Sequence, residues 1–184
     1  MFADLDALKL STDKIKSHVF FYRGADAYRM MEKLRNDVDV QNLVKKQTVS
    51  KVFLLTGSNN VDPICQKRQS LHDGCVSISK TIEYVQSLFP SAIVNLVNIL
   101  PRVIENRRNI VNQLNHHIRS LCEMSPINRL RYIDTYGIKL FTFQNGSRKS
   151  ELFKCMYRND TDNVHLSNNG IVKLGKHLKY LAHL

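Results

Sequence analysis

The strongest constraint on the fold is a regular alternation of short apolar segments with longer amphipathic ones. The apolar segments are rich in Val, Ile, Leu and Phe, and they cover residues 18–22, 51–56, 92–99 and 130–133. Segments with apolar residues at helical spacing follow them, at 25–35, 71–89, 103–122 and from Asn169 onward. Strands that are apolar on both faces are typical of a parallel sheet covered by helices. The pattern therefore predicts an α/β fold, a three-layer α/β/α sandwich around a central parallel sheet.

The chain of 184 residues has the length of one domain, so we expect a single domain over 1–184, with residues 1–17 as an N-terminal helical arm. No apolar run reaches the roughly 20 residues that a membrane-spanning helix needs, and we expect no membrane span. The four cysteines form no CxxC pair, which predicts reduced thiols and neither a metal site nor another cofactor.

The charge of the chain is strongly positive, with 27 Lys and Arg against 16 Asp and Glu and a formal net charge of +11. Such an excess favours a polyanionic partner, either nucleic acid or an anionic membrane surface. After position 128, ten basic residues stand against four acidic ones, and Tyr and Phe residues lie between them. Cations for phosphates and aromatic rings for unpaired bases are the combination found in single-stranded RNA sites.

Three polar groups follow strands or precede the last helix. They are residues 24–26 (Gly-Ala-Asp), 57–60 (Gly-Ser-Asn-Asn) and 162–165 (Asp-Asn-Val-His). In open parallel sheets, functional residues gather where the strands end. The sequence therefore predicts that these groups meet at one edge of the sheet.

In this order the three groups resemble the conserved blocks of the SGNH (GDSL-like) hydrolase superfamily, over almost the whole chain. The resemblance implies a serine nucleophile in the first block, an oxyanion hole that includes the Asn of the Gly-x-Asn-Asp loop, and an Asp-x-x-His pair near the C-terminus. Asn59, Asp162 and His165 match that pattern. Asp26 stands at the serine position, and no glycine occurs in 36–47, where the second block should supply one.

Loss of the nucleophile and of one oxyanion donor would remove the two largest contributions to acyl transfer. We therefore expect a pseudoenzyme with no catalytic residues, in which Asp26, Asn59, Asp162 and His165 are vestigial. For the survivors a structural role carries more weight than residual catalysis. The pair Asp162 and His165 would brace the loop before the last helix, and Asn59 would shape its turn.

Residues 55–62, 98–102 and 162–167 are also similar to the OSK domains of insect Oskar proteins, a degenerate branch of that superfamily. This resemblance implies a non-catalytic domain that binds RNA, in particular the 3′ untranslated regions of maternal mRNA. It further implies a cytoplasmic role in germ plasm assembly and mRNA localisation, with germ-plasm proteins as further partners.

We expect RNA, mainly single-stranded regions of mRNA, to contact basic residues at the strand exits and in the loop-rich segment before the last helix. The candidate RNA-binding residues are Arg23, Arg29, Arg102, Arg107, Arg108, Arg148, Lys149, Lys154 and Arg158. Two other functions remain open at this point. One is an active SGNH-type esterase or lipase that uses an unconventional nucleophile, either Asp26 or a nearby serine. The other is a protein-interaction scaffold whose basic face meets acidic partners or anionic lipids.

Overall fold

The computed structural model describes residues 18–20, 22–102, 104–126, 129–135 and 166–183. The N-terminal arm predicted over 1–17 lies outside these residues, as does the loop-rich segment before the last helix. The described elements, in chain order, are α1 (Ala27–Asn36), α2 (Val38–Lys46), β1 (Lys51–Leu54), a 3-10 turn (Ser58–Asn60), α3 (Val61–Cys65), α4 (Leu71–Leu88), β2 (Ile93–Val97), α5 (Glu105–Met124), β3 (Leu130–Ile133) and α6 (Asn168–His183).

The three strands form one parallel sheet in the order β1-β2-β3. Lys51 of β1 pairs with Ile93 of β2, and Val94 of β2 pairs with Leu130 of β3. The central strand β2 is buried from Val94 to Val97, as expected of a strand covered on both faces. Helices flank the sheet, so the predicted α/β fold with a central parallel sheet is confirmed.

The core is formed where the helices meet each other and the sheet. α1 packs against α4, α4 against α5, and α5 against both α3 and β3. The largest fully buried side chains include Ile78 of α4, Leu96 of β2, and Leu114 and Ile118 of α5. Ser70 and Asp73 form a capping box that begins α4, which is how a buried helix satisfies its first N–H groups.

The prediction of a strand over 18–22 is wrong for the described residues of that segment. His18–Phe20 and Tyr22 are not in strand conformation, and Val19 is 62% exposed rather than buried between layers. Tyr22 instead donates a hydrogen bond of 2.8 Å to Oδ2 of Asp37. Burial and this bond raise the pKa of Tyr22 well above its usual range, and the same bond lowers the pKa of Asp37.

Helix α2 was not predicted from the sequence. It covers most of residues 36–47, the segment in which the family's second block would supply a glycine. Asp37 begins it by accepting hydrogen bonds from the N–H groups of Asp39 and Val40. Val40 and Leu43 form its buried side. Among the described residues, no helix is both long and apolar enough to cross a membrane.

Two glycines with left-handed backbone conformation offer a matched test of packing behind β1. Gly57 has φ +87°, and a methyl group there would lie 2.8 Å from Cδ1 of both Ile78 and Ile99. Gly24 has φ +68°, but a methyl group there would meet nothing within 4 Å. An alanine at either position would therefore bear backbone strain, but only an alanine at position 57 would also clash with neighbouring side chains.

We predict that Gly57→Ala lowers the free energy of unfolding by about 2–4 kcal/mol, because it adds overpacking to the strain of a non-glycine residue at positive φ. Gly24→Ala should lower it by only about 1 kcal/mol, since the strain alone applies. Urea unfolding followed by circular dichroism measures both values. Equal losses for the two variants would show that the contact with Ile78 and Ile99 is unimportant.

Candidate functional site

Two of the three predicted groups meet at the carboxyl end of β1. Gly57 adopts its left-handed conformation directly after Thr56, and the chain then turns through Ser58–Asn60, with the N–H of Asn60 donating to the carbonyl oxygen of Gly57 at 3.1 Å. This turn packs beside the start of α1. We call residues 24–29 together with 57–60 the corner.

Asn60 connects the two halves of the corner from within the core. Its side chain is fully buried, and Oδ1 accepts a hydrogen bond of 3.0 Å from the N–H of Ala27. Its Nδ2 lies 3.3 Å from both Oε1 of Gln69 and Oγ of Ser77. Thr81 completes the arrangement, because its hydroxyl donates to the carbonyl oxygen of Ala27 at 2.7 Å. The start of α1 is therefore held to α4 by buried polar bonds.

Asn59, which the resemblance assigns to an oxyanion hole, lies on the exposed side of the same turn. Its Nδ2 donates a hydrogen bond of 2.9 Å to the carbonyl oxygen of Ala25. One amide hydrogen thus joins the 57–60 turn to the first block.

Asp26, at the position of the family's serine, is the N-cap of α1. Its backbone is extended, and its Oδ1 accepts a hydrogen bond of 2.8 Å from the N–H of Arg29. The carboxylate is half-exposed. This geometry assigns Asp26 to helix capping.

The arginines predicted to bind RNA differ in their surroundings. Arg23 and Arg29 are exposed at the corner. Arg102 is only 3% exposed, and its Nη2 donates to the carbonyl oxygen of Ser58 at 2.9 Å and to its hydroxyl at 2.8 Å. These contacts give Arg102 a structural role in holding the 57–60 turn, and its contact with RNA stays a prediction.

Arg107 and Arg108, at the start of α5, are half-buried. Nε of Arg107 lies 2.6 Å from Oδ1 of Asp62, an ion pair that ties α5 to α3. The remaining predicted residues lie outside the described part of the chain. They are the vestigial Asp162 and His165 and the RNA-binding candidates Arg148, Lys149, Lys154 and Arg158.

Two asparagines that the sequence reasoning missed shape the carboxyl ends of β2 and β3. Oδ1 of Asn98 accepts a hydrogen bond of 2.9 Å from the N–H of Thr135, which ties the ends of the two strands together. Asn115 of α5 brackets Ile99, accepting from its N–H at 2.7 Å and donating to its carbonyl oxygen at 2.9 Å. The available signal was an Asn at the end of an apolar strand, where a buried amide must find partners.

A serine and a histidine also meet away from the corner, between α4 and α5. Oγ of Ser79 lies 2.9 Å from Nε2 of His117, beside a cavity of about 560 Å³ that Cys75, Lys80 and Glu83 help to line. Burial lowers the pKa of His117, which favours the neutral ring. Ser79 is in the middle of α4, where the backbone N–H groups already bond within the helix, so α4 itself offers no backbone oxyanion donors beside it.

We predict that Asn60→Ala lowers the free energy of unfolding by about 2–4 kcal/mol, because it leaves the buried N–H of Ala27 without its partner. Asn59→Ala is the matched control, since it removes a half-exposed bond and should lower stability by less than about 1 kcal/mol. Chemical denaturation of both variants measures the two losses in the free energy of unfolding. A larger loss for Asn59→Ala would contradict the assignment of Asn60 as the structural residue.

No protein-family model matches the chain, and no curated protein matches it by sequence. Among solved structures, it is similar to a candidate platelet activating factor from Streptococcus pneumonia, with a TM-score of 0.58 and 23% identity over 86% of this chain and 69% of that one. It is also similar to a carbohydrate esterase family 3 protein from Talaromyces cellulolyticus, with a TM-score of 0.54 and 16% identity over 86% of this chain and 68% of that one. At these identities the likeness concerns the fold, and it confirms an SGNH hydrolase-like fold.

Proposed function

We propose that this chain is a non-catalytic domain with an SGNH hydrolase-like fold that binds RNA through a basic surface. The observation that carries the proposal is that Asp26 caps helix α1. The position that the family gives to its nucleophile holds a carboxylate, and that carboxylate accepts the N–H of Arg29 as the cap of α1. An acid in this place serves the helix and opposes oxyanion formation.

The charge of the chain supports RNA as the partner. The formal net charge is +11, and Arg23 and Arg29 present exposed guanidinium groups at the corner. Arginine's planar fork suits phosphate oxygens and stacks on bases. Affinity would then come mainly from phosphate contacts, so binding should weaken steeply as the salt concentration rises.

The finer proposal rests on the similarity of residues 55–62, 98–102 and 162–167 to OSK domains. On that basis the RNA is maternal mRNA, bound at its 3′ untranslated region. The setting is the cytoplasm, in germ plasm assembly and mRNA localisation, with germ-plasm proteins as further partners.

We predict that the double variant Arg23→Glu/Arg29→Glu weakens binding of a single-stranded RNA at least tenfold, because it reverses two charges that would contact phosphate. Lys45→Glu/Lys46→Glu is the matched control, with the same charge change at the exposed end of α2. Fluorescence anisotropy at several salt concentrations measures the affinity and its salt dependence.

Equal losses in the two double variants would contradict a binding surface at the corner and leave only general electrostatic attraction. A wild-type affinity that does not change with salt would contradict phosphate binding altogether. The quadruple variant Arg148→Glu/Lys149→Glu/Lys154→Glu/Arg158→Glu extends the experiment to the basic residues before α6.

The second candidate function is ester hydrolysis, favoured by the fold. One similar solved structure is a carbohydrate esterase family 3 protein. In this chain the hydrolase would need His165 as its base together with Asp26 or a nearby serine as nucleophile. The pair of Ser79 and His117 provides a second arrangement to test, because its atoms lie within hydrogen-bonding distance.

We predict no ester hydrolysis above background for wild type, since the corner holds a carboxylate where the nucleophile should be. A p-nitrophenyl ester assay on wild type, His165→Ala and His117→Ala checks this. Activity that disappears only with His165→Ala would overturn the pseudoenzyme proposal at the corner. Activity that disappears only with His117→Ala would place an esterase between α4 and α5.

A further inference from the structure

We infer that Tyr28 is a stacking platform for an unpaired base of single-stranded RNA, and that Arg23 and Arg29, which lie close to it in the sequence, contact the neighbouring phosphates. This inference rests on the proposed RNA-binding function. It adds the type of contact and the residue that makes it, neither of which follows from the positive charge alone.

Tyr28 is exposed because of the way α1 packs. Ala27, Met31 and Leu34 are the buried residues of that helix, and their spacing of four and three places them on one stripe facing the core. Tyr28 follows Ala27 directly, so it is turned about 100° away from that stripe. Its side chain is 54% exposed.

An exposed aromatic ring is unusual among the residues that the structure describes. Tyr22, Tyr84 and Tyr132 are half-buried against the core, and Tyr22 is also hydrogen-bonded. Within the described residues, Tyr28 and Tyr180 are the exposed tyrosines. A ring left in water on an ordered helix is a ready surface for the face of a base.

The charges around Tyr28 favour a polyanion. Arg23, Arg29 and Lys33 are exposed, and within the described part of the chain none of the three is in an ion pair. The nearby acids are already engaged, because Asp26 accepts from the N–H of Arg29 and Glu32 pairs with Arg35 at 3.0 Å. The three cations therefore have no acidic partner among the described residues and are open to a phosphate, whereas Asp26 keeps its charge and accepts from a backbone N–H.

The combination of a ring with flanking arginines distinguishes single-stranded from duplex RNA. In a duplex the base faces are stacked on one another, so a side chain on a convex helix surface reaches only phosphates and sugars. An unpaired base can lie on the ring while its neighbouring phosphates meet Arg23 and Arg29. Among the described residues, nothing lies within 4 Å of a methyl group placed on Gly24, so this side of the corner is not crowded.

Tyr180 of α6 offers a matched comparison. It is 62% exposed and lies one turn after the exposed Lys176, on a helix without acidic residues. Its neighbours are lysines, which bind phosphate as point charges and stack less well than arginine. We therefore assign the stacked base to Tyr28 and expect α6 to contribute only its positive charge.

The experiment compares Tyr28→Ala, Tyr28→Phe and Tyr180→Ala by fluorescence anisotropy, with a labelled oligouridine of about 12 nucleotides and an RNA duplex of the same length as probes. Tyr28→Ala should weaken binding of the oligouridine by about 5- to 100-fold, as expected for the loss of one stacked base. Tyr28→Phe keeps the ring and should stay within about twofold of wild type, as should Tyr180→Ala. Duplex affinity should change by less than about twofold in every variant.

Unchanged oligouridine affinity in Tyr28→Ala would overturn the inference, and so would an equal loss for the duplex. Loss in Tyr180→Ala instead would move the stacking site to α6. In these cases wild type still binds RNA, so the proposed function stands. A wild type that binds neither probe would overturn the proposed function and the inference with it. Circular dichroism of Tyr28→Ala confirms that the variant is folded.

Discussion

The position of the corner depends on Asn60, a fully buried amide whose oxygen and nitrogen both have hydrogen-bond partners. Its oxygen accepts from the first helical N–H of α1, and its nitrogen reaches Gln69 and Ser77. Three segments far apart in sequence are thereby joined at one point. The buried bonds have direction as well as strength, so they orient α1 and with it every exposed residue at its start.

The sheet and the long helices could be predicted from the sequence because their signals are local. β1, β2 and β3 fall within the apolar segments, α4 falls within its helical stripe, and α5 begins within its stripe and ends two residues beyond it, at Met124. The prediction of a strand over 18–22 was wrong because an apolar run indicates burial but does not show which neighbouring element covers it. Helix α2 was overlooked because it is short, and its one clear signal was the N-cap Asp37.

The site could be predicted only in part, because the sequence does not show which of two adjacent asparagines is buried. The sequence places Asn59 and Asn60 side by side, and the family pattern directs attention to Asn59. Only the conformation of the turn decides which side chain enters the core, and Asn60 does. Likewise, formal charge does not distinguish Arg102, which bonds to Ser58, from Arg23, which faces water. Part of the positive charge therefore stabilises the fold.

The capping role of Asp26 has a consequence for how such a domain can change its chemistry. Serine and aspartate are almost equally good as N-caps, since each offers an oxygen to the N–H groups of the first turn. An exchange between them at position 26 would leave α1 nearly as stable and the Asn60 bonds untouched. The identity of residue 26 can therefore change between these two side chains at little cost to the fold, because the fold requires only an acceptor oxygen at this place.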